Sequence, residues 1–444
     1  MFQNKVSFKK GDNKLISAWT FYDWANSVYP LVISSTIFPI YYALIFDDYN
    51  YIDFFGYEIK NTAMISFITA LAFLVIVFII PLLSGISDYL GNKKIFMKFF
   101  VYIGSVSCIA LYWFNLETIY IGLFFYFIAL IGYWSSLVFY NSYLPEIAYN
   151  NQQDRASAKG FAMGYIGSII LLLLNLLMVM KPSIFGISGS GNEATLQAMK
   201  FSFISVGIWW IIFSQIPFYF LPSNKKNNKI KKDIIWNGFK ELKMVWFDIN
   251  LNLNLKRFLG AFFVYSTALQ TVMLVATYFG EEEINWPSNS EKTIGLIVSI
   301  LLIQLVAVIG AMLSSKCSEL YGNLKTLIFI NIIWALICLF AFYIHTPFEF
   351  YIIAGFVGLV MGALQPLSRS TYSKFLPETN DTASYFSFYG VTEKIAIIIG
   401  MSLFGVIDQI TGSMRNSIFI FLILFLIGAY LLFRIYLKNK DGEN

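Results

Sequence analysis

Histidine is almost missing from this chain of 444 residues: His345 is the only one. Histidine-built metal sites and Ser–His–Asp triads depend on a placed imidazole with partners, so both chemistries are close to excluded. Cysteine is scarce too. Cys108, Cys317 and Cys338 lack metal-ligand spacing and sit in or near apolar runs, where cysteine packs as a small hydrophobe. No G-x-x-x-x-G-K-[S/T] element is present, so a phosphate-binding loop for ATP-driven work is unsupported. Charge is thin, at 13% of residues, against about 25% in soluble domains. The net charge of +5 is spread over loops and tails, not gathered into a nucleic-acid footprint. The expectation is therefore no catalytic constellation, no metal, no cofactor and no nucleic-acid partner.

Apolar length is what the chain has instead, with 58% hydrophobic and 19% aromatic residues. A bilayer core of about 30 Å needs about 20 helical residues to cross. Runs of that kind lie near 17–46, 62–83, 94–114, 117–140, 156–180 and 201–222. After a polar, basic stretch at 223–256 come six more, near 257–279, 293–314, 324–344, 348–370, 384–407 and 415–436. Lys5, Lys9, Lys10 and Lys14 ahead of the first run suggest a signal peptide. That run is too long, contains Asp23 and offers no small-residue cleavage site, so it is read as a first span. An all-α, multi-pass membrane protein of twelve transmembrane helices follows. Its expected organisation is a six-helix bundle at 1–222, a basic cytoplasmic central loop at 223–256 and a second six-helix bundle at 257–444.

Basic residues orient this layout. Of the 31 Lys and Arg, only Lys60, Lys181, Lys200, Lys292 and Arg415 fall in loops on the outer side. Lys394 lies within a span, and all the others fall on the side that holds both termini. By the positive-inside rule the termini are expected in the cytoplasm. Outer loops are acidic instead, as at Asp47, Asp48, Asp53 and Glu58, and at Glu281, Glu282 and Glu283.

The two halves echo each other. SGISDYLGNKK (84–94) after the second span answers SKCSELYGNLK (315–325) after the eighth. Ser84, Ser87, Gly91, Asn92 and Lys94 match Ser315, Ser318, Gly322, Asn323 and Lys325 in one register, and Asp88 is answered by Glu319. LPE recurs at 144–146 and 376–378, each time ahead of a D-x-A-S, at 154–157 and 381–384. Two echoes at nearly one offset imply parallel six-helix repeats about an axis along the membrane normal. The 84–94 loop also resembles the major facilitator signature. Asp88, Gly91, Lys93 and Lys94 fit it, while Ser84, Tyr89 and Asn92 depart from it. An acid at a helix end can pair with a base or a helix N-terminus across the two bundles. Asp88, Gly91, Lys93, Lys94, Glu319 and Gly322 are therefore gating candidates, in a latch that would favour the outward-facing state. The competing reading is a tight turn with solvated charges.

Polar residues inside spans mark the candidate site. In the first span, Asp23, Asn26, Ser27, Pro30 and Ser34 share one helical face, and a carboxylate there should face a bundle interior or water. Pro30 and Pro39 invite a kink. In the eleventh span, Glu393 and Lys394 stand about 10 residues from Ser384, about 15 Å at 1.5 Å per residue, near the midplane. Neighbours point about 100° apart, so one could serve substrate or a coupling ion while the other pairs structurally. Lys394 could hold a substrate carboxylate or be neutralised by Glu393 or Asp23, and a purely structural ion pair is the alternative. Glycine stripes at Gly160, Gly164 and Gly167 and at Gly355, Gly358 and Gly362 are read first as close helix packing.

Together YDWANSVY (22–29), IFPIYY (37–42), NSYLPEI (141–147), SAKGFAMGYIGS (157–168), QPLSRS (365–370) and Lys394 with Gly400 resemble the vacuole-effluxer-like branch of the major facilitator superfamily, also called the unknown major facilitator family of bacteria. Glu393, where a small residue would be expected, departs from that pattern. The resemblance covers nearly the whole chain. It implies the major facilitator fold and a secondary transporter of a small polar solute, with amino-acid efflux and proton coupling as finer expectations. By analogy with facilitators, spans one, four, seven and ten line the cavity, which offers Asp23, Asn26, Tyr140, Asn141, Tyr265, Gln270, Gln365 and Arg369 as liners beside Glu393 and Lys394. The expected partners are a small-molecule substrate, H+ as a coupling ion and the lipid bilayer. The protein is expected to be monomeric, with a bacterial inner membrane as its default location. A polytopic membrane enzyme and a non-transporting signalling or scaffold protein are the other function classes considered.

Overall fold

The computed structural model describes residues 8–46, 51–54, 56–189, 191–223 and 233–441. Asp47, Asp48 and residues 224–232 of the basic central stretch lie outside them. Among the described residues, twelve helices are long and apolar enough to cross a membrane. The first six are Asn13–Ile45, Ala63–Leu90, Lys93–Trp113, Ile119–Ile147, Asn150–Met180 and Asn192–Phe220. The second six are Leu253–Glu282, Glu291–Tyr321, Asn323–Ala341, Pro347–Phe375, Thr382–Thr411 and Met414–Lys440. Helices satisfy their own backbone groups, which is what a bilayer interior demands of a spanning segment. An even number of crossings brings the start of the first span and the end of the twelfth to one side, the termini face.

The spans gather in two groups of six. In the first group, span one packs on spans five and six, and span three on spans four and six. In the second, span eight packs on ten, nine on twelve, and seven on eleven and twelve. The groups meet where span five lies against eight and ten, and where span two lies against eleven. Glycine permits the closest of these approaches. A Cβ on Gly164 would sit 2.3 Å from Ser27 Oγ of the first span, and one on Gly362 would sit 2.1 Å from the Ala307 carbonyl oxygen of the eighth. These members of the two glycine stripes are packing positions.

The first span is broken as its prolines demand. Asp12 caps its start, its Oδ1 accepting from the backbone N–H of Lys14 at 2.7 Å. After Asn26 the helix widens into a π-helical stretch, Tyr29–Ile37, and resumes as α over Phe38–Ile45. Pro30 has no N–H to give the ladder, so the backbone repairs itself with wider turns. Thr36 Oγ1 adds a bond to the Leu31 carbonyl at 2.7 Å.

Two features differ from an all-helix reading with plain loops. Tyr51–Phe54 and Tyr57–Lys60 form an antiparallel hairpin on the far face, with Ile52 opposite Ile59. Gly56 makes its turn at a φ of 86° and donates its N–H to Asp53 Oδ1. The central stretch also holds a helix, Ile234–Leu251, with Gly238, Val245 and Ile249 buried. Helical spacing of these three positions gives it a face that packs on the second span.

Candidate functional site

Arg369 of the tenth span is buried at 3% exposure, and its guanidinium is held almost entirely by the other group of helices. Nη2 donates to Asp23 Oδ2 at 3.2 Å and to the Ser157 carbonyl at 3.0 Å. Nε donates to Ser157 Oγ at 2.9 Å, and Nη1 to Asn141 Oδ1 at 3.1 Å. Its plane lies against the rings of Phe161 (4.4 Å) and Trp19 (4.8 Å). Asp23 accepts a second bond from the Tyr140 hydroxyl at 2.7 Å. Asn26 is buried one turn further on. Gly160 leaves the room for this network, because a Cβ there would meet Asp23 Oδ2 at 2.2 Å. Arginine suits the position: a planar fork of donors can satisfy several acceptors at once where water is excluded.

A second charge cluster stands further from the termini face. Lys394 of the eleventh span, 2% exposed, donates to Glu393 Oε2 at 2.5 Å. Its ammonium also sits 3.4 Å from the ring centroid of Trp134 in the fourth span. Glu393 Oε1 accepts from Gln270 Nε2 of the seventh span at 2.8 Å. Both neighbours thus belong to one network despite leaving the helix in different directions. Of the two carboxylates considered for Lys394, Glu393 is its partner and Asp23 belongs to Arg369. Gln365 links the groups as well, accepting from the Tyr165 hydroxyl at 3.0 Å. Together these contacts bring Asp23, Asn141, Gln270, Gln365, Arg369, Glu393 and Lys394 to the seam between the two groups.

At the termini face the two sequence echoes meet each other. Asp88, at the end of the second span, accepts from the backbone N–H of Ser384 (2.6 Å) and Ala383 (3.3 Å) at the start of the eleventh. A carboxylate at a helix N-terminus satisfies unpaired N–H groups and the helix dipole together. Lys93 Nζ donates to Glu146 Oε1 (2.5 Å), Thr382 Oγ1 (2.7 Å) and the Ser142 carbonyl (2.9 Å). On the opposite diagonal, Asp154 accepts from Lys374 Nζ (2.6 Å), Asn323 Nδ2 (2.8 Å) and Ser318 Oγ (2.9 Å). Each repeated loop thus touches the D-x-A-S of the other half.

The two diagonals are not chemical copies. In one, the acid comes from the loop after the second span; in the other, from the D-x-A-S itself. Glu319, the positional match of Asp88, is exposed, and its neighbour Ser318 makes the crossing contact. Gly91 and Gly322 end their helices at φ of 65° and 83°, conformations that favour glycine. Lys94 donates to the Leu221 carbonyl at the end of the sixth span, at 2.7 Å. Ser157, Glu146, Asp154, Lys374 and Trp134 join these networks without being site candidates on sequence grounds. The LPE and D-x-A-S echoes already contained three of them.

The chain matches the family model described as vacuole effluxer Atg22-like over residues 11–444. It is similar to an MFS-type transporter, YxiO, of Bacillus subtilis, with 29% identity across 96% of this chain and 94% of the relative. It is also similar to autophagy-related protein 22 of Yarrowia lipolytica, with 22% identity over 66% of this chain and 52% of that protein. The chain spans about half the length of such fungal relatives. Among solved structures it resembles the proton:xylose symporter XylE, with a TM-score of 0.72 and 12% identity over 95% of each chain. It likewise resembles FucP in the outward conformation, with a TM-score of 0.69 and 13% identity over 95% of this chain and 97% of that one. The fold is that of the major facilitators.

Proposed function

The chain belongs to the vacuole effluxer Atg22-like family, and from that premise we propose that it carries a small polar solute across the membrane by alternating access. The moving units are the groups at 1–222 and 257–444, joined by 223–256. One observation supports this above all: two buried charge networks, Asp23–Arg369 and Glu393–Lys394, stand where the groups meet. Buried ionisable residues within spans are costly and usually serve a pathway. A solute carboxylate could displace Glu393 from Lys394, and Trp134 with Gln270 would complete its pocket. Asp23 or Glu393 is offered as the proton carrier, because discharging either would loosen its hold on a cation. Asn26, Asn141 and Gln365 serve as neutral liners.

Among the described residues, the hydrogen bonds between the groups run from Asp88–Ser384 at the termini face to Tyr165–Gln365 toward the midplane. That distribution supports a state closed at the termini face and open opposite it. The weight of basic residues on the same side favours a cytoplasmic location for the termini. With the Bacillus relative, it favours a bacterial plasma membrane, and the family's description as effluxer-like is the ground for testing efflux as the direction. Amino acids are the first solutes to test.

Counterflow in proteoliposomes preloaded with neutral amino acids, with wild type beside Lys394→Ala and Asp23→Asn, tests the reading. Accumulation by wild type that Lys394→Ala loses supports a carboxylate-binding lysine. No counterflow from protein shown to be folded removes the amino-acid assignment, and a metabolite-wide screen with no transported solute removes transport itself.

A further inference from the structure

The linker helix Ile234–Leu251 buries only a narrow face. Gly238, Val245 and Ile249 turn inward, and Gly238 lies so close to the second span that a Cβ on Gly85 would sit 2.2 Å from its carbonyl oxygen. The rest of the helix is unusually apolar for an exposed surface. Trp236 is 67% exposed, Phe247 63% and Phe239 51%. Lys240 and Lys243 are exposed among these rings, as is Asp248, which is partnered by Tyr385 of the eleventh span, and Lys256 follows at the start of the seventh span.

Depth identifies what covers this face. Gly85 and Ile86 lie in the last two turns of the second span, which ends at Leu90. On the other side, the Trp246 ring lies 5.6 Å from that of Phe388, in the first two turns of the eleventh span. The helix therefore rests on the outside of the bundle at the level where spans leave the hydrocarbon. Aromatic rings mixed with lysines, whose stems lie along apolar surface while the ammonium reaches out, suit the boundary between acyl chains and headgroups. Lysine there selects anionic headgroups.

The position is also mechanical. The second and eleventh spans belong to different groups, and Asp88–Ser384 is the bond between their ends. The linker helix lies across that same seam, on Gly85 at one end and Phe388 at the other. We propose that this helix is a membrane-surface strap: its outward face binds anionic lipid headgroups, and the bound helix holds the termini face closed. Opening that face would separate the second span from the eleventh and cost the helix one of its two footholds. The strap rests on the alternating-access reading, whereas the lipid contact does not.

Full-length protein with Cys108, Cys317 and Cys338 replaced by alanine allows spin labels to be placed in phosphatidylcholine vesicles with and without phosphatidylglycerol. A label at Phe239→Cys should be relaxed more by lipid-soluble oxygen than by a water-soluble nickel chelate. Greater nickel than oxygen access in both vesicles would overturn the proposal and leave the face to water or to a protein partner. A pair at Ile95→Cys and Leu320→Cys, both exposed on the termini face, reports the distance between the groups. Phosphatidylglycerol should shift it toward the short, closed population, and Lys240→Gln/Lys243→Gln should abolish the shift. A distance that moves with Asp88→Asn but ignores phosphatidylglycerol overturns the strap alone. A distance that nothing moves overturns the strap and alternating access together.

Discussion

Arg369 shows how a single residue can hold two halves of a protein together. Its four hydrogen bonds all go to side chains or backbone of the other group, and no water-exposed edge remains to dilute them. Removing one member of such a buried pair strands the other, at a cost of about 3–5 kcal/mol. Arg369→Ala is therefore expected to lower the midpoint of thermal unfolding sharply. Arg369→Lys, which keeps the charge but not the fork, should fall between that variant and wild type. Gly160→Ala offers an independent check, since its methyl group would arrive 2.2 Å from Asp23 Oδ2. It should destabilise the protein in the same unfolding assay, whereas Gly355→Ala, whose methyl group meets nothing within 4 Å, should be near neutral. Equal effects at the two glycines would contradict the packing account.

At the scale of elements, the termini face is closed by helix ends. Asp88 reads the N-terminus of the eleventh span through two backbone N–H groups, so its charge matters as well as its shape. Asp88→Asn keeps an acceptor and loses the charge. It should raise the thiol-reagent labelling of a cysteine placed at Ser384, measured against the same cysteine with Asp88 intact. Glu319→Gln, on the exposed positional match, should leave labelling unchanged. The repeat was legible in the sequence, because matching loops recur in one register and matching D-x-A-S elements follow them at nearly the same spacing. Its use was not. Which of two neighbouring residues, Ser318 or Glu319, faces the seam depends on how the eighth span is rotated against the fifth.

For the molecule as a whole, the two charge networks stand at different depths along one seam, and they invite separate tests. If Asp23 carries the coupling proton, Asp23→Asn should still exchange solute in counterflow while losing accumulation driven by an imposed pH gradient. Loss of both activities in folded protein would assign Asp23 to binding or to the lock with Arg369 instead. Gradient-indifferent uptake by wild type would remove proton coupling altogether. Glu393 can be tested in the same way. Because Gln270 and Lys394 both lean on it, Glu393→Gln should also disturb the pocket proposed around Trp134.

Twelve spans, their six-plus-six division and the break in the first helix were determined by the sequence alone, because each rests on local properties. Apolar length decides whether a helix can cross a bilayer, and proline removes a donor wherever it stands. The buried polar residues were also visible as misfits in apolar runs. Their partners were decided only in the folded chain. Asp23 and Arg369 stand 346 positions apart, and no periodicity links them. Lys394 had two acids open to it until packing turned its ammonium to Glu393, its neighbour in the chain, and set Trp134 beneath it. The linker helix shows the same division. Its lysines read as a basic loop, and only its seat on the second span shows which face is buried and which is exposed.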